Sequence, residues 1–225
     1  HSDYDVPTVV NCDYDAYFKE MEEMKEKYKG QITLKTGIEF GIQVHTTKAY
    51  EETFGQYPFD FVIFSCHQVE NKEYWRQEPQ KGKTQLEYNR RYYQEILDVV
   101  KTYKDYSILG HLDVIKRYDL NGEIELEKIK DLIEQIFEVV IADGKGIELN
   151  TSSHAYHLKS LMPSREILEL YHDMGGKIIT IGSDAHNADR VGDRVMESQK
   201  ILKEIGFDGI YTFDQMKPKF HEFKF

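Results

Sequence analysis

The sequence predicts an α/β protein built on a parallel sheet that curves into a barrel. Two observations support this prediction. Short apolar runs bounded by turn residues recur along the chain, and several are apolar almost throughout, as strands buried on both faces are. Between most of them lies a stretch with helical periodicity, which is the pattern of repeated βα units. The apolar runs are 32–39, 59–67, 107–111, 146–150, 177–184 and 209–213.

The stretches between these runs have the faces and ends of amphipathic helices. Thr84 and Glu87 have the spacing of a capping box and predict the start of the second helix. Ser164 is placed to cap the fourth helix, and glycines close several of the others. The expected apolar stripes run through 17–28, 88–99, 126–140, 167–171 and 195–202.

Length and composition predict one domain over residues 1–225. The chain has 225 residues, of which 40% are hydrophobic, enough for one α/β core. No composition change, repeat or Pro-rich linker marks a second domain. No apolar run is long enough to span a membrane and no segment resembles a leader, so a cytoplasmic location is expected.

The charge balance favours a small partner. A net charge of −11 argues against a nucleic-acid groove or an anionic membrane surface, because those partners require clustered Lys and Arg. The two cysteines, Cys12 and Cys66, are too few for a disulfide framework or a CxxC metal site. We therefore expect a small-molecule substrate, and the oligomeric state stays open.

Polar residues with metal-binding side chains fall at the ends of successive predicted strands. Glu39, His67, His111, Asn150 and Asp184 each end one of the apolar runs. In barrels of parallel strands the carboxyl ends share one face, and active sites occupy that face. Any one of these residues could be a turn former. Their coincidence predicts a common site.

Histidine and carboxylate without cysteine is the ligand set of hydrolytic Zn, Mn or Fe centres. In such centres the metal polarises a substrate oxygen and acidifies bound water. His186 follows Asp184 by two residues, so both side chains would point to the same face of an extended segment. Trp75 lies in a polar loop and could belong to a lid or to the surface.

These strand-end segments closely resemble the PHP domain family (polymerase and histidinol phosphatase), and most closely its histidinol-phosphatase branch. The pieces occur in family order and cover essentially the whole chain. They are 36–41 (TGIEFG), 65–67 (SCH), 110–118 (GHLDVIKRY), 147–152 (IELNTS) and 181–186 (IGSDAH).

The resemblance implies a distorted seven-stranded (β/α) TIM-like barrel that binds two or three divalent metal ions. The first family motif, His-x-His, is absent from the sequence, and residues 1–5 (HSDYD) resemble the end of the second strand. The chain is therefore expected to lack its first strand and most of the second, about 30 to 40 residues with ordinary element lengths.

Carried over by motif, the resemblance also implies the metal ligands. Glu39 would be shared between two ions, with His67 and His111 completing one site and Asp184 contributing to the other. His1 and His186 would be ligands of a third ion.

The activity implied is hydrolysis of histidinol phosphate in histidine biosynthesis. Glu39, Asp184 and His186 would be catalytic. For the substrate we expect Arg117, with Lys116 beside it, to bind the phosphate, because a guanidinium matches phosphate oxygens as a planar fork. Asn150 is a further substrate-binding candidate. The alternatives are a PHP phosphoesterase for nucleotide or sugar phosphates and a non-catalytic PHP scaffold.

Overall fold

The structure is a computed structural model that describes residues 2–6 and 10–225. Within those residues it has six α-helices and nine β-strands. The helices are α1 (Tyr14–Lys27), α2 (Thr47–Phe54), α3 (Gln85–Thr102), α4 (Lys130–Ala142), α5 (Arg165–Asp173) and α6 (Val195–Ile205). The strands are β1 (Gly37–Gly41), β2 (Phe61–Ser65), β3 (Gln68–Val69), β4 (Lys72–Glu73), β5 (Ile108–Leu109), β6 (Gly146–Asn150), β7 (Ile179–Gly182), β8 (Gly209–Asp214) and β9 (Lys217–Glu222).

The central sheet has five parallel strands in the order β1-β2-β5-β6-β7. Helices α2, α3, α4 and α5 connect these strands in turn, so all five carboxyl ends lie along one edge. The predicted α/β class with a parallel sheet is confirmed. Closure into a full barrel, and the expected lack of a first and most of a second strand, stay predictions.

The prediction for 209–213 was right about the strand and wrong about its partners. Strand β8 pairs antiparallel with β9 in a separate two-stranded sheet. Gln215 and Met216 have φ of 49° and 63°, and this tight turn brings the chain directly back along β8. The parallel sheet also begins later than expected, because residues 32–36 precede β1 without belonging to any strand.

The predicted helices are present, and α2 is an addition that the sequence analysis did not include. The capping box of α3 is confirmed, since the Glu87 main-chain N–H donates to Thr84 Oγ1 and the Thr84 N–H donates to Glu87 Oε2. No helix in the described ranges is both long enough and apolar enough to cross a bilayer.

Buried tyrosines tie the helices to the loops of the sheet edge. The Tyr50 hydroxyl on α2 donates to the main-chain oxygens of Ser2 and Gly41, at 2.8 and 2.9 Å. Ser2 also bonds the outer edge of β1, donating to Glu39 O and accepting from Gly41 N. These bonds fix the segment 2–6 beside β1, close to where the strands end.

Candidate active site

Three side chains from neighbouring strands converge at the carboxyl edge of the sheet. Glu39 lies on β1, His67 follows β2 and His111 follows β5. Glu39 Oε1 is 3.2 Å from His67 Nε2 and 3.1 Å from His111 Nε2, and the two imidazole nitrogens are 3.4 Å apart. Among the described residues these form a potential metal-binding cluster whose ligand atoms all lie within 4.8 Å of one another. The structure thus brings together the three residues expected to share one ion.

Asp3 sets the orientation of the His67 ring. The Nδ1 atom of His67 is 2.8 Å from Asp3 Oδ1, so a proton on Nδ1 is donated to the carboxylate. The Nε2 atom then faces Glu39 and His111. A carboxylate behind an imidazole is the usual support for a metal-binding histidine, since it fixes the tautomer and raises the basicity of the ligand.

A glycine makes room for this contact. A Cβ atom on Gly41 would lie 1.6 Å from Asp3 Oδ1 and 3.0 Å from His67 Nδ1. Any side chain at position 41 would therefore collide with the Asp3 carboxylate. The segment 2–6 and β1 approach closely only because residue 41 has no side chain.

The electrostatics of the cluster favour a bound cation. Burial lowers the pKa of His67, but the Asp3 and Glu39 carboxylates outweigh it and hold that pKa well above its usual range. Burial raises the pKa of Glu39, but the charge of His67 and the hydrogen bonds from His111 and His67 outweigh this effect and hold that pKa well below its ordinary value. The cluster thus attracts positive charge at its centre. One carboxylate oxygen and two imidazole nitrogens fit Zn, Mn or Fe.

A cavity of about 290 Å³ opens above the cluster. Arg117, Asp184 and His186 line it together with the three cluster residues. Aromatic side chains form much of the remaining wall, namely Tyr74, Trp75, Tyr118 and Tyr156. A cavity of this volume, lined by both charged and aromatic side chains, suits a small polar organic ligand.

The guanidinium of Arg117 is fixed at the wall of this cavity. Its Nη2 donates to Ser152 Oγ at 2.9 Å and lies 3.7 Å from Asp184 Oδ2. Its central carbon is 3.6 Å from the centre of the Tyr156 ring, a cation–π contact. Only 10% of the side chain is exposed. Arg117 therefore lies where the sequence analysis expected a phosphate ligand.

Lys116 points elsewhere. Its side chain is buried and pairs with Asp113 at 2.7 Å, while Ser160 Oγ accepts from it at 2.8 Å and Leu161 O also accepts from it. Residues Val114–Tyr118 form a 3₁₀ turn, in which successive side chains project about 120° apart. The structure therefore places only one of the two predicted phosphate-binding residues at the cavity and gives Lys116 a place beneath the loop that contains Ser160.

Asn150 lies behind the cavity wall rather than in it. Its Oδ1 accepts from the main-chain N–H and the hydroxyl of Ser152, at 2.9 and 2.6 Å. Its Nδ2 donates to Glu148 Oε2 at 3.1 Å. Asn150 thus caps the 3₁₀ turn Thr151–His154 and is buried, with no place on the cavity lining.

Asp184 and His186 line the cavity as a pair. His186 Nε2 is 3.3 Å from Asp184 Oδ1, and the Ser152 hydroxyl is 3.1 Å from Asp184 Oδ2. His186 is 68% exposed, at the rim. Neither residue belongs to the cluster of Glu39, His67 and His111. His1, the other ligand expected from the resemblance, lies outside the described residues.

Several residues that shape the site were not predicted from the sequence. Glu148 had a visible signal, because a carboxylate in the otherwise buried strand β6 requires partners. Asp3, Ser152 and Tyr156 carry no such signal, because their spacing in the sequence does not indicate their partners. Their roles depend on contacts across 64, 35 and 39 positions in the chain, with His67 and Arg117.

Comparison with known families gives an independent result. The model of the PHP domain matches residues 1–152, which include Glu39, His67 and His111. The match covers about two thirds of the chain.

Individual relatives agree over a longer span. A histidinol-phosphatase of Lactococcus lactis is 29% identical over 96% of this chain and 82% of its own length. A probable histidinol-phosphatase of Clostridium acetobutylicum is 26% identical over 88% of this chain and 76% of its own.

Two solved structures resemble the fold. The Lactococcus lactis histidinol phosphate phosphatase, crystallised with zinc, L-histidinol and phosphate, superposes with a TM-score of 0.85 at 27% identity, covering 96% of this chain and 84% of that one. A histidinol phosphatase structure from Listeria monocytogenes, described as putative in function, gives a TM-score of 0.68 at 16% identity, with 88% and 81% covered. The second similarity concerns the fold alone.

Proposed function

The chain belongs to the PHP domain family, and from this we propose that it is a metal-dependent phosphatase that hydrolyses L-histidinol phosphate to L-histidinol and phosphate. The main observation is that one cavity contains both a histidine–carboxylate cluster suited to a metal and a fixed guanidinium suited to a phosphate. The name of the Lactococcus lactis relative, and the zinc, L-histidinol and phosphate in its structure, support this choice of substrate.

Glu39, His67 and His111 would hold one divalent ion, for which Zn, Mn and Fe are the candidates. An ion bound there would polarise a phosphoryl oxygen and lower the pKa of bound water. Asp3 fixes the His67 ring through Nδ1, and Ser65 Oγ, 2.6 Å from Glu39 Oε1, donates to the carboxylate. These two contacts hold the ligand atoms in place before an ion arrives, so little reorganisation is needed for binding.

Further ions would use the other side of the cavity. We propose that Glu39 is shared between two ions, that Asp184 contributes to the second, and that His186 with His1 binds a third. The orientation of Asp184 and His186 toward the same cavity as the cluster supports this assignment. The full complement would be two or three ions.

Arg117 is proposed to bind the phosphoryl group. Ser152 engages Nη2 and the ring of Tyr156 covers one face of the guanidinium, so the remaining N–H groups have a fixed direction. A guanidinium held in this way can donate two parallel hydrogen bonds to phosphate oxygens. Because Arg117 lies on the cavity wall, it would orient the phosphorus over the metal-binding cluster.

The leaving group would lie against the aromatic wall. Trp75 is half-exposed, and its ring centre is 6.3 Å from that of Tyr118, so both rings can contact a planar imidazole. Hydrolysis forms a bond from water oxygen to phosphorus and breaks the bond from phosphorus to the ester oxygen, which must gain a proton. In the form with two ions, in which His186 is not a ligand, this exposed side chain, 3.3 Å from the Asp184 carboxylate, is the proposed carrier of that proton.

The proposal is tested by measuring phosphate release. Protein stripped of metal with a chelator should release no phosphate from histidinol phosphate, and addition of Zn, Mn or Fe should restore release. Nucleoside monophosphates and sugar phosphates, supplied at the same concentration, should give a kcat/KM at least ~100-fold lower, because they do not fit the aromatic wall equally well. Equal or faster hydrolysis of either would assign the enzyme to another substrate, and no hydrolysis with bound metal would favour a scaffold.

A further inference from the structure

Glu148 is a buried carboxylate beneath the site that the proposed mechanism does not use. It lies on strand β6 of the parallel sheet, whose five residues are all buried, and it is 5% exposed. Its Oε2 accepts two hydrogen bonds, from the His111 main-chain N–H at 3.0 Å and from Asn150 Nδ2 at 3.1 Å. The carboxylate thus bonds directly to the backbone of a metal-binding residue.

The hydrogen bond from Asn150 to Glu148 is the first in a path of hydrogen bonds that leads to Arg117. Asn150 links Glu148 to Ser152, because its Oδ1 accepts hydrogen bonds from the Ser152 main-chain N–H at 2.9 Å and from the Ser152 hydroxyl at 2.6 Å. Ser152 Oγ in turn accepts from Arg117 Nη2 at 2.9 Å. Glu148, Asn150 and Ser152 are all at most 5% exposed, so water does not compete strongly for these bonds.

A glycine on the neighbouring strand leaves space for this carboxylate. A Cβ atom on Gly182, on the neighbouring strand β7, would lie 1.9 Å from Glu148 Oε1. Asn150 is paired in register with that same Gly182. Glu148 can therefore occupy its place only because residue 182 has no side chain. Strand β7 packs against one side of the carboxylate.

Among the described residues, no strand supplies a main-chain acceptor for the main-chain N–H of His111. Strand β5 ends at Leu109, two residues earlier, so the sheet supplies no acceptor for His111. A buried N–H without an acceptor is costly, because it gives up its bond to water and gains no other. Glu148 supplies that acceptor, and the direction of its bond determines where the chain turns and where the His111 ring points.

We infer that Glu148 is a positioning residue that, through Asn150 and Ser152, holds the metal ligand His111 and the phosphate-binding Arg117 in a fixed relation. Both ends of this inference rest on the proposed function, which assigns the metal to His111 and the phosphate to Arg117. Asn150, expected from the sequence to touch substrate, takes instead the middle place in this path.

The test compares two substitutions of Glu148 in the full chain. Glu148→Met removes both acceptor oxygens at nearly the same size, whereas Glu148→Gln keeps one oxygen that can accept from His111 and Asn150. Zinc affinity is measured by competition with a chelating dye, phosphate affinity by calorimetry on the zinc-loaded protein, and stability by thermal unfolding. We expect Glu148→Met to lower the affinity for zinc by ~10- to 100-fold and the affinity for phosphate by at least ~10-fold. In Glu148→Gln both affinities should stay within ~3-fold of those of the original protein.

Two further variants separate positioning from general destabilisation. Asp60→Leu removes another carboxylate that accepts two main-chain N–H bonds, from Thr36 and Gln215, at the opposite end of the sheet. It should lower the melting temperature and leave both affinities unchanged. Ser152→Ala should weaken phosphate binding and reduce zinc affinity less than Glu148→Met does, since it leaves the bond from Glu148 to the His111 main chain in place.

Unchanged zinc affinity in Glu148→Met, or equal losses in Glu148→Gln and Glu148→Met, would overturn the inference, as would a loss of zinc affinity in Asp60→Leu. None of these binding measurements uses histidinol phosphate. If the original protein binds zinc and phosphate but does not hydrolyse histidinol phosphate, the proposed substrate is wrong and the role of Glu148 is still decided by the variants.

Discussion

Asp3 Oδ1 lies 2.8 Å from the Nδ1 atom of His67, so a loop residue orients an imidazole of the proposed metal site across 64 positions of the chain. Asp3 is 1% exposed, and the bond is therefore shielded from water. We expect Asp3→Asn to lower zinc affinity by ~10- to 100-fold, because a neutral amide supports the His67 tautomer less strongly. Competition with a chelating dye measures the change.

The control for Asp3→Asn lies in the same loop. Asp5 has a side chain that is 66% exposed, and Asp5→Asn removes the same charge from the segment. Its zinc affinity should stay within ~2-fold, since the field of an exposed charge is screened. Equal losses in the two variants would show that net charge, and not the bond to His67, determines the affinity.

Gly41→Ala should reproduce the Asp3→Asn defect without changing any polar group. The added methyl would lie 1.6 Å from Asp3 Oδ1, so the carboxylate must move away from His67. We expect a similar loss of zinc affinity and a lower melting temperature. Gly55→Ala is the matched control, because its methyl would meet its nearest neighbour, Glu51 O, at an ordinary 3.5 Å. Full zinc affinity in Gly41→Ala would contradict the role of this close approach.

Glu39→Gln tests whether the anionic charge at the cluster is essential. Glutamine is nearly isosteric but cannot supply an anionic ligand or bridge two cations. Turnover of histidinol phosphate should fall by ~10³-fold or more, about 4 kcal/mol, while circular dichroism stays unchanged. Metal content is measured in parallel by elemental analysis. Near-normal turnover with stoichiometric metal would count against a shared ligand.

The sequence predicted the cluster well because its members follow from strand order alone. Once Glu39, His67 and His111 were placed at the ends of parallel strands, the sheet brought them to one edge. Lys116 could not be placed in the same way. Which of Lys116 and Arg117 faces the cavity depends on the 3₁₀ turn Val114–Tyr118. A shift of this turn by one residue would exchange the directions of the two side chains.

Other parts of the fold depended on contacts that a linear pattern does not contain. The alternating residues of β8 fit a strand of either sheet, and only the turn at Gln215 and Met216 directs it into an antiparallel hairpin. Glu148 was visible as a buried charge, but its partners His111 and Asn150 become evident only when β5 and β6 lie side by side.

Asp60 should make stability depend on pH in the acid range. Burial raises the pKa of this carboxyl group, but hydrogen bonds from the Thr36 and Gln215 main-chain N–H groups outweigh it, and the pKa lies below its ordinary value of 3.8. Asp60→Asn should lower the free energy of unfolding at pH 7 by about 1 to 2 kcal/mol, the scale of hydrogen bonds to a charged group.

The difference in the free energy of unfolding between Asp60→Asn and the original protein should become smaller as the pH falls. Above 3.8 the carboxylate is ionised in both folded and unfolded chains, so its full contribution is present. Below that value the unfolded chain binds the proton first, and the contribution is lost as the pH passes through the lowered folded-state value. Urea unfolding from pH 7 to pH 3 measures this difference. Glu23→Gln, on the exposed face of α1, is the control, and a difference that widened on acidification would contradict this account.

Arg117→Ala should weaken recognition of the phosphate. If the guanidinium bonds the phosphoryl oxygens in both the ground and transition states, KM should rise more than kcat falls. The expected loss in kcat/KM is about 2 to 4 kcal/mol, the scale for removing one member of a desolvated charge pair. Steady-state kinetics with histidinol phosphate, and the inhibition constant of inorganic phosphate, measure the two effects separately.

Two variants show whether the geometry of Arg117 matters beyond its charge. Arg117→Lys keeps the charge but loses the planar fork that Ser152 and the Tyr156 ring hold in place, so it should recover only part of the loss. Arg90→Ala removes a surface arginine that pairs with Asp131 on the outer helices, and it should leave the kinetics unchanged. Unaltered kcat/KM in Arg117→Ala would leave the phosphate to groups other than this guanidinium. A loss confined to kcat would instead mean that Arg117 stabilises the charge that develops as the ester bond breaks, because such an interaction forms only in the transition state.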